Sequence, residues 1–181
     1  IDEVLELLDV KQGGVYIDGT IGSGGHSRAI IGKAGSDGFL FGIDRDMDAL
    51  RRAEATLASL KNQCVLAHGN FANMTELARD NGIAQADGVL LDIGASSEQL
   101  DTAERGFSFN SDAPLDMRMD ASSGETAAHI VNTLSESDLT AMLRPKQRGG
   151  NRGAAGAPKL RPPVLGFNTV RPESPFWRPL W

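Results

Sequence analysis

Cysteine is almost missing from this chain: Cys64 is the one thiol in 181 residues. A lone cysteine excludes an internal disulfide framework and a cysteine-based metal site, and it fits a reducing compartment such as the cytoplasm. Its apolar neighbours mark it as a core residue. Long hydrophobic runs are also missing. Nothing approaches the roughly 18 consecutive apolar residues that a membrane helix needs, and no basic-then-apolar signal peptide opens the chain. The first residue is Ile1, which suggests that the natural N-terminus lies upstream. Positive charge is scarce over residues 1–140, with 10 Lys+Arg against 23 Asp+Glu and a net charge of −13. Such a segment is poor in the lysines and arginines that phosphate contacts require. Proline is scarce there too, with Pro114 alone. After residue 140 the composition inverts: residues 141–181 carry 8 basic residues against 1 acidic, seven of the eight prolines and both tryptophans. A boundary therefore falls near residue 143. What remains is ordinary for a globular protein, 40% hydrophobic and 23% charged, with room for one domain and a real core.

The stretch that organises the rest is Val15 to Ser27, V-Y-I-D-G-T-I-G-S-G-G-H-S. Short β-favouring residues give way at Asp18 to Gly19, Gly22, Gly24 and Gly25, and a helical pattern follows. Strand, glycine turn and helix is how a nucleotide-handling α/β fold offers backbone N–H groups to a ligand. Glycine permits backbone angles that a β-carbon forbids and lets a ligand lie close to the main chain. Two readings of the loop compete. A dinucleotide fingerprint wants a third glycine where Ser27 stands. The Asp-x-x-x-Gly-x-Gly-Gly arrangement of class I methyltransferases wants an acid ahead of the glycines to serve an S-adenosylmethionine (SAM) site, and Asp18 occupies that place.

Along the chain, Asp2–Asp9 predicts a short amphipathic helix with Val4, Leu5, Leu7 and Leu8 on one side. Strands are predicted at Val15–Asp18, Phe39–Ile43, Cys64–Ala67 and Asp87–Asp92, with helices over Ser27–Lys33, Met47–Leu60 and Asn73–Asn81, the last with Asn73 as N-cap. The unbroken apolar run Phe39–Ile43 fits a parallel strand covered on both faces. Asp44 follows it, 20 residues after Gly24, where a carboxylate can accept both hydroxyls of a ribose. The competing reading makes Asp44 a helix cap, a task Asp46 or Asp48 can perform. Phe71, just past the third strand, suits either adenine stacking or the core. The first, second and fourth strands thus end in Asp18, Asp44 and Asp92 at one sheet edge, where ligands of open α/β sheets bind.

Residues 104–120, with Arg105, Phe107, Phe109 and Arg118, have neither helical nor strand period. Long irregular loops in compact domains carry function or disorder. Aromatics beside arginines suit a flipped-out base with its phosphate held by guanidinium, or equally a lid packed on its own hydrophobics. Short helices are predicted over Ala127–Asn132 and Glu136–Leu143. Beyond Leu143 the basic, proline-broken remainder reads as a disordered tail, with a basic RNA-binding arm as the other reading.

Taken together, D-G-T-x-G-x-G-G-H-S, I-D-R-D, D-G-x-L-L-D-x-G-x-S-S-x-Q-L-D, E-R-G-F-S-F and P-L-D-M-R-M-D resemble the bacterial family of small-subunit ribosomal RNA cytosine-N4 methyltransferases. The likeness runs from Asp2 to Leu143. It implies a Rossmann-like class I α/β core with a parallel sheet flanked by helices, SAM as methyl donor, and a cytidine of the decoding region as acceptor. It implies SAM contacts at Gly24, Gly25, His26, Asp44, Phe71, Asp92 and Gln99, although the residues alone read His26 as a helix-start histidine. Asp92 is the candidate catalytic acceptor, and Arg105, Phe107 and Phe109 are the candidate substrate residues. No metal and no membrane are implied. Where the family continues into a helical substrate domain and closing strands, this chain has its Arg/Pro/Gly tail, as a fragment or a shifted reading frame would produce. The expectation is a partial core over 1–143 and an unrelated tail over 144–181. The other functional readings are a SAM-binding fragment without turnover and a nicotinamide-dependent oxidoreductase.

Overall fold

The computed structural model describes residues 1–110, 112–144 and 168–170. The described residues divide into two compact units, 1–96 with 168–170, and 97–144. The expected tail lies outside the described residues except for Arg144 and the short strand at 168–170.

The first unit is built on one sheet. Strands β1 (Val15–Asp18), β2 (Phe39–Asp44), β3 (Cys64–His68) and β4 (Gly88–Leu91) alternate with helices α2 (Gly25–Ala34), α3 (Met47–Thr56) and α4 (Met74–Asp80), after an opening helix α1 (Asp2–Leu7). The strand order is β3-β2-β1-β4-β5, with β1 to β4 mutually parallel. The chain therefore runs outward from β1 to β3 and returns to β4 on the other side of β1. That reversal creates a crevice at the carboxyl ends of β1 and β4, where open α/β sheets take ligands. This is the Rossmann-like parallel core expected from the sequence. At its edge β5 (Asn168–Val170) pairs antiparallel with β4, Val89 opposite Val170; the sequence patterning predicted no strand there.

Both faces of the sheet are covered, which explains the unbroken apolar strands. Tyr16, Leu40 and Leu90 meet Val4 and Leu8 of the N-terminal segment, Ile30, Ile31 and Ala34 of α2, and Leu50, Ala53 and Leu57 from and just after α3. On the opposite face Ile17, Phe41, Ile43 and Val89 pack with Ala78, Met74 and Leu77 of α4. Ile17 stands between Phe41 and Val89 in register, so strand pairing and packing on α4 specify the same alignment. Tyr16 is admitted to the core because its hydroxyl accepts the Lys11 N–H at 2.8 Å. Cys64 is half-buried against the first cluster, and burial pushes its thiol pKa up.

Several boundaries differ from the sequence reading. Leu7 is 51% exposed, because the buried face of α1 runs through Val4 and Leu8, four residues apart. Helix α3 stops at Thr56, and Ala58–Leu60 forms a separate 3-10 turn. Asn73 precedes α4 without a side-chain cap bond. Asn70 provides one earlier, its Oδ1 accepting the Ala72 N–H at 2.9 Å to start the 3-10 turn Phe71–Asn73.

In the second unit, α5 (Ser97–Asp101) and a 3-10 turn (Ala103–Arg105) lead into the irregular segment, followed by α6 (Ala127–Thr133) and α7 (Glu136–Leu143). Thr126 and Ser135 cap α6 and α7 by accepting the His129 and Asp138 N–H groups. The irregular segment is internally bonded. The Met117 N–H donates to the Arg105 carbonyl at 3.0 Å, and Arg118 grips Asp116 through Nε and Nη2. That grip holds the Asp116 carboxyl below the usual carboxylate range. Gly106 has φ +70, and a β-carbon there would lie 2.5 Å from the Pro114 carbonyl oxygen and 2.7 Å from the Asp116 nitrogen. Backbone cannot step aside as a side-chain tip can. Gly106→Ala is therefore expected to destabilise this unit by about 2–4 kcal/mol, read as faster amide exchange over residues 105–120. Unchanged exchange there would contradict the close packing.

Candidate functional site at the sheet edge

The glycine loop follows β1 and is anchored to the ends of β2 and β4. The Gly19 N–H donates to the Leu90 carbonyl at 2.9 Å, and the Ile21 N–H to the Ile43 carbonyl at 3.0 Å. The Gly22 N–H donates to Asp44 Oδ2 at 2.9 Å. Ile21 lies so close to β2 that a β-carbon on Gly42 would approach its Cδ1 to 2.3 Å, which accounts for glycine inside an otherwise apolar strand. Gly24 adopts φ +84 as it enters α2, and no side chain caps the helix. A β-carbon on Gly25 would meet no heavy atom within 4 Å. The start of α2 thus offers main-chain donors and a positive dipole end with open approach. His26 is half-buried in its first turn.

Asp44 and Asp46 divide the work that the sequence left open. Asp46, buried, caps α3 by accepting the Asp48 N–H at 2.9 Å. Asp44 accepts the Gly22 and Asp46 N–H groups, one on each oxygen. A carboxylate offers about four lone-pair sites, so acceptor capacity remains on the half-buried Asp44. Phe71 is half-buried, and a β-carbon on Gly19 would lie 3.1 Å from Phe71 Cβ; the ring therefore starts beside the end of β1. Asp92 follows β4 and is exposed, with its N–H donating to Thr20 Oγ1 at 2.7 Å. The first unit thus gathers Gly24, Gly25, His26, Asp44, Phe71 and Asp92 along the carboxyl edge of its sheet.

Gln99, Arg105, Phe107 and Phe109 belong to the second unit. Gln99 is buried on α5. Arg105 directs Nη2 at the carbonyls of Arg118 (3.0 Å) and Met119 (2.9 Å), a use within its own loop. Phe107 is half-buried and Phe109 fully exposed.

Two residues were missed from the sequence. Ser27 counted only as the absence of a third glycine. Its Oγ donates to Asp18 Oδ2 at 2.7 Å, and both residues are buried. Thr20, the hydroxyl residue after Asp18-Gly19, was not singled out. Asp18 itself does not face the crevice; it lies beneath the loop, accepting also from the Thr20 N–H at 3.2 Å. Burial, opposed by these hydrogen bonds and reinforced by the charges of Asp44 and Asp92, pushes its pKa up to about 6. Among the described residues no group of three or more His, Cys, Asp or Glu side chains is placed to hold a metal ion, and no helix is long and apolar enough to cross a membrane.

The raised Asp18 pKa carries a pH dependence of definite sign. Between about pH 4 and 6 the native carboxyl keeps a proton that the unfolded chain has lost, so its contribution to stability falls as pH rises through that window. The asparagine variant lacks this loss. The unfolding free energy of Asp18→Asn relative to the unsubstituted protein is expected to improve by about 2–3 kcal/mol from pH 4 to pH 7.5, measured by urea denaturation. A constant difference across that range would refute the assignment.

Comparison with known proteins places this geometry. The chain is 51% identical over 162 residues to a ribosomal RNA small subunit methyltransferase H of Syntrophotalea carbinolica, covering 88% of this chain and 52% of that protein. Against the protein of the same name from Geotalea uraniireducens it is 51% identical over 141 residues, covering 78% and 45%. For that of Syntrophus aciditrophicus the figures are 47% over 144 residues, covering 80% and 46%. The chain spans about half the length of the curated relatives it matches. Residues 1–152 match one family along their whole course, and the chain belongs to the MraW methylase family.

Proposed function

We propose that this chain carries the SAM-binding core of a methyltransferase that methylates N4 of a cytidine in small-subunit ribosomal RNA. The observation that carries the reading is the sign of the charge at the sheet edge. Asp44 ends β2 and Asp92 follows β4 at the same carboxyl edge, each tied to the glycine loop by a hydrogen bond. An edge carrying the Asp44 and Asp92 carboxylates opposes the pyrophosphate of a nicotinamide dinucleotide and suits a ligand with a sulfonium and an ammonium group. The open start of α2 suits that ligand's carboxylate, and the spare acceptor capacity of Asp44 suits its ribose hydroxyls. The names of the curated relatives support a ribosomal RNA acceptor, and such a substrate would put the chain in the cytoplasm.

SAM supplies an electrophilic methyl group on sulfur. In this reading Gly24, Gly25 and His26 line its amino-acid end, Asp44 holds the ribose and Phe71 stacks on adenine, while Gln99, in the second unit, is a SAM contact that the resemblance implies. Asp92 is the catalytic acceptor. The cytosine exocyclic amine is a poor nucleophile because its lone pair is delocalised into the ring. A carboxylate accepting one of its N–H groups favours pyramidal nitrogen and has a place for the departing proton. Positioning then supplies much of the acceleration. Arg105, Phe107 and Phe109 are assigned to the RNA, with Phe109 as the exposed stacking surface. Residues 1–143 form the partial core and 144–181 a basic tail, although the family match continues to residue 152.

Calorimetric titration with S-adenosylhomocysteine is expected to show micromolar binding, weakened about ten- to hundredfold by Asp44→Ala through loss of hydrogen bonds to a charged acceptor. Tighter binding of NAD than of S-adenosylhomocysteine would reinstate the oxidoreductase reading. With a cytidine-containing RNA fragment, Asp92→Asn is expected to lower kcat by at least about tenfold while cofactor affinity holds. Undiminished turnover would remove Asp92 from the chemistry. Binding without transfer by the unsubstituted chain would identify a cofactor-binding fragment.

A further inference from the structure

We propose that Thr20 is a positioning residue that fixes the Asp92 carboxylate at the end of β4. The inference rests on the methyltransferase reading above. The Thr20 hydroxyl oxygen accepts the Asp92 N–H at 2.7 Å across 72 residues of sequence. This bond spans the point where the strand order reverses, and it joins the glycine loop to the residue assigned as proton acceptor. Thr20 is itself held from below, because its N–H donates to the buried Asp18 carboxylate. The neighbouring Gly19 N–H holds the Leu90 carbonyl, so β4 is pinned two residues before Asp92 and again at Asp92 itself.

The consequence is directional. Asp92 is exposed and begins the polar loop Asp92–Ser96, outside the β4 ladder. Its main-chain N–H is therefore not oriented by sheet pairing. The peptide plane at Asp92 sets the direction in which the side chain leaves the backbone, and the Thr20 hydroxyl is the group that orients that plane. A valine at position 20 keeps the shape and β-branching of threonine while removing the acceptor. A serine keeps the acceptor. A displacement of about 1 Å in a reacting group is enough for a hundredfold effect on rate, so the loss of this bond should appear in turnover rather than in folding.

The test compares Thr20→Val, Thr20→Ser and Asp92→Asn in the full 181-residue chain, with and without S-adenosylhomocysteine. In the unliganded protein the Asp92 amide is expected to exchange at least about tenfold faster in Thr20→Val, while Thr20→Ser matches the unsubstituted chain. With RNA, Thr20→Val is expected to lower kcat about ten- to hundredfold, with S-adenosylhomocysteine affinity within about threefold. In the Asp92→Asn background the same substitution should have little further effect, because Thr20 acts through Asp92. Unchanged Asp92 exchange in Thr20→Val overturns the proposal. So does full turnover after protection is lost, or a kcat penalty that persists undiminished without the Asp92 carboxylate. A chain that binds no S-adenosylhomocysteine and transfers no methyl group defeats the methyltransferase reading instead, and the amide exchange still decides whether Thr20 orients Asp92.

Discussion

The Asp18 carboxylate lies beneath the glycine loop with almost no access to water, and the geometry above it depends on its hydrogen bonds. Ser27 anchors α2 to it and the Thr20 N–H anchors the loop. From that fixed base the loop reaches β2 through Ile21 and Gly22 and β4 through Gly19 and Thr20. Glycines admit the required backbone path but supply no stiffness of their own. Polar bonds from a buried acceptor supply it, and they hold the start of α2 open beside the ends of three strands. A dinucleotide-type loop has glycine where Ser27 stands. Here the hydroxyl is the partner that makes burial of a carboxylate tolerable.

Two carboxylates, Asp44 and Asp92, stand at the carboxyl edge. Asp44 and Asp92 act on Asp18 in the same direction as burial, and in the proposed reading their negative potential faces the ligand. A cationic sulfonium relieves that potential, and an anionic pyrophosphate worsens it. The acidic composition of residues 1–140 is thus in part local to the site. It also leaves phosphate recognition to other groups. In the second unit the guanidinium groups of Arg105 and Arg118 hold loop carbonyls and Asp116. Phe109 is fully exposed, and the proposed reading gives it to base stacking.

Membership of the MraW methylase family rests on a match across residues 1–152, and the curated relatives extend to about twice the matched length. Helices α6 and α7 contain no buried residue, whereas the first unit has a covered sheet with a core on each face. The cofactor half of the proposed activity therefore has its framework within this chain. The second unit consists, among the described residues, of short helices and one internally bonded segment.

The order of strands and helices, the parallel sheet and the line of aspartates at its edge were legible in the sequence because each depends on local chemistry. Apolar runs declare covered strands, glycines declare the turn, and an acid at the ends of the first, second and fourth strands declares the edge. Errors arose where neighbours in space outrank neighbours in sequence. Leu7 and Leu8 are equally apolar, and only the packing of α1 decides which is buried. Asn70 and Asn73 are equally good caps, and only the turn geometry chooses between them. Asp44 and Asp46 could each have capped α3, until a bond from Gly22 claimed the first for the loop. Ser27 and Thr20 were invisible as functional residues because their partners lie 9 and 72 residues away. Hydrophobic periodicity and backbone preference are properties of a short stretch of chain, and the sequence alone determines them. The pairing of one buried or edge polar group with another is a property of folded distance, and the tertiary structure alone decided it.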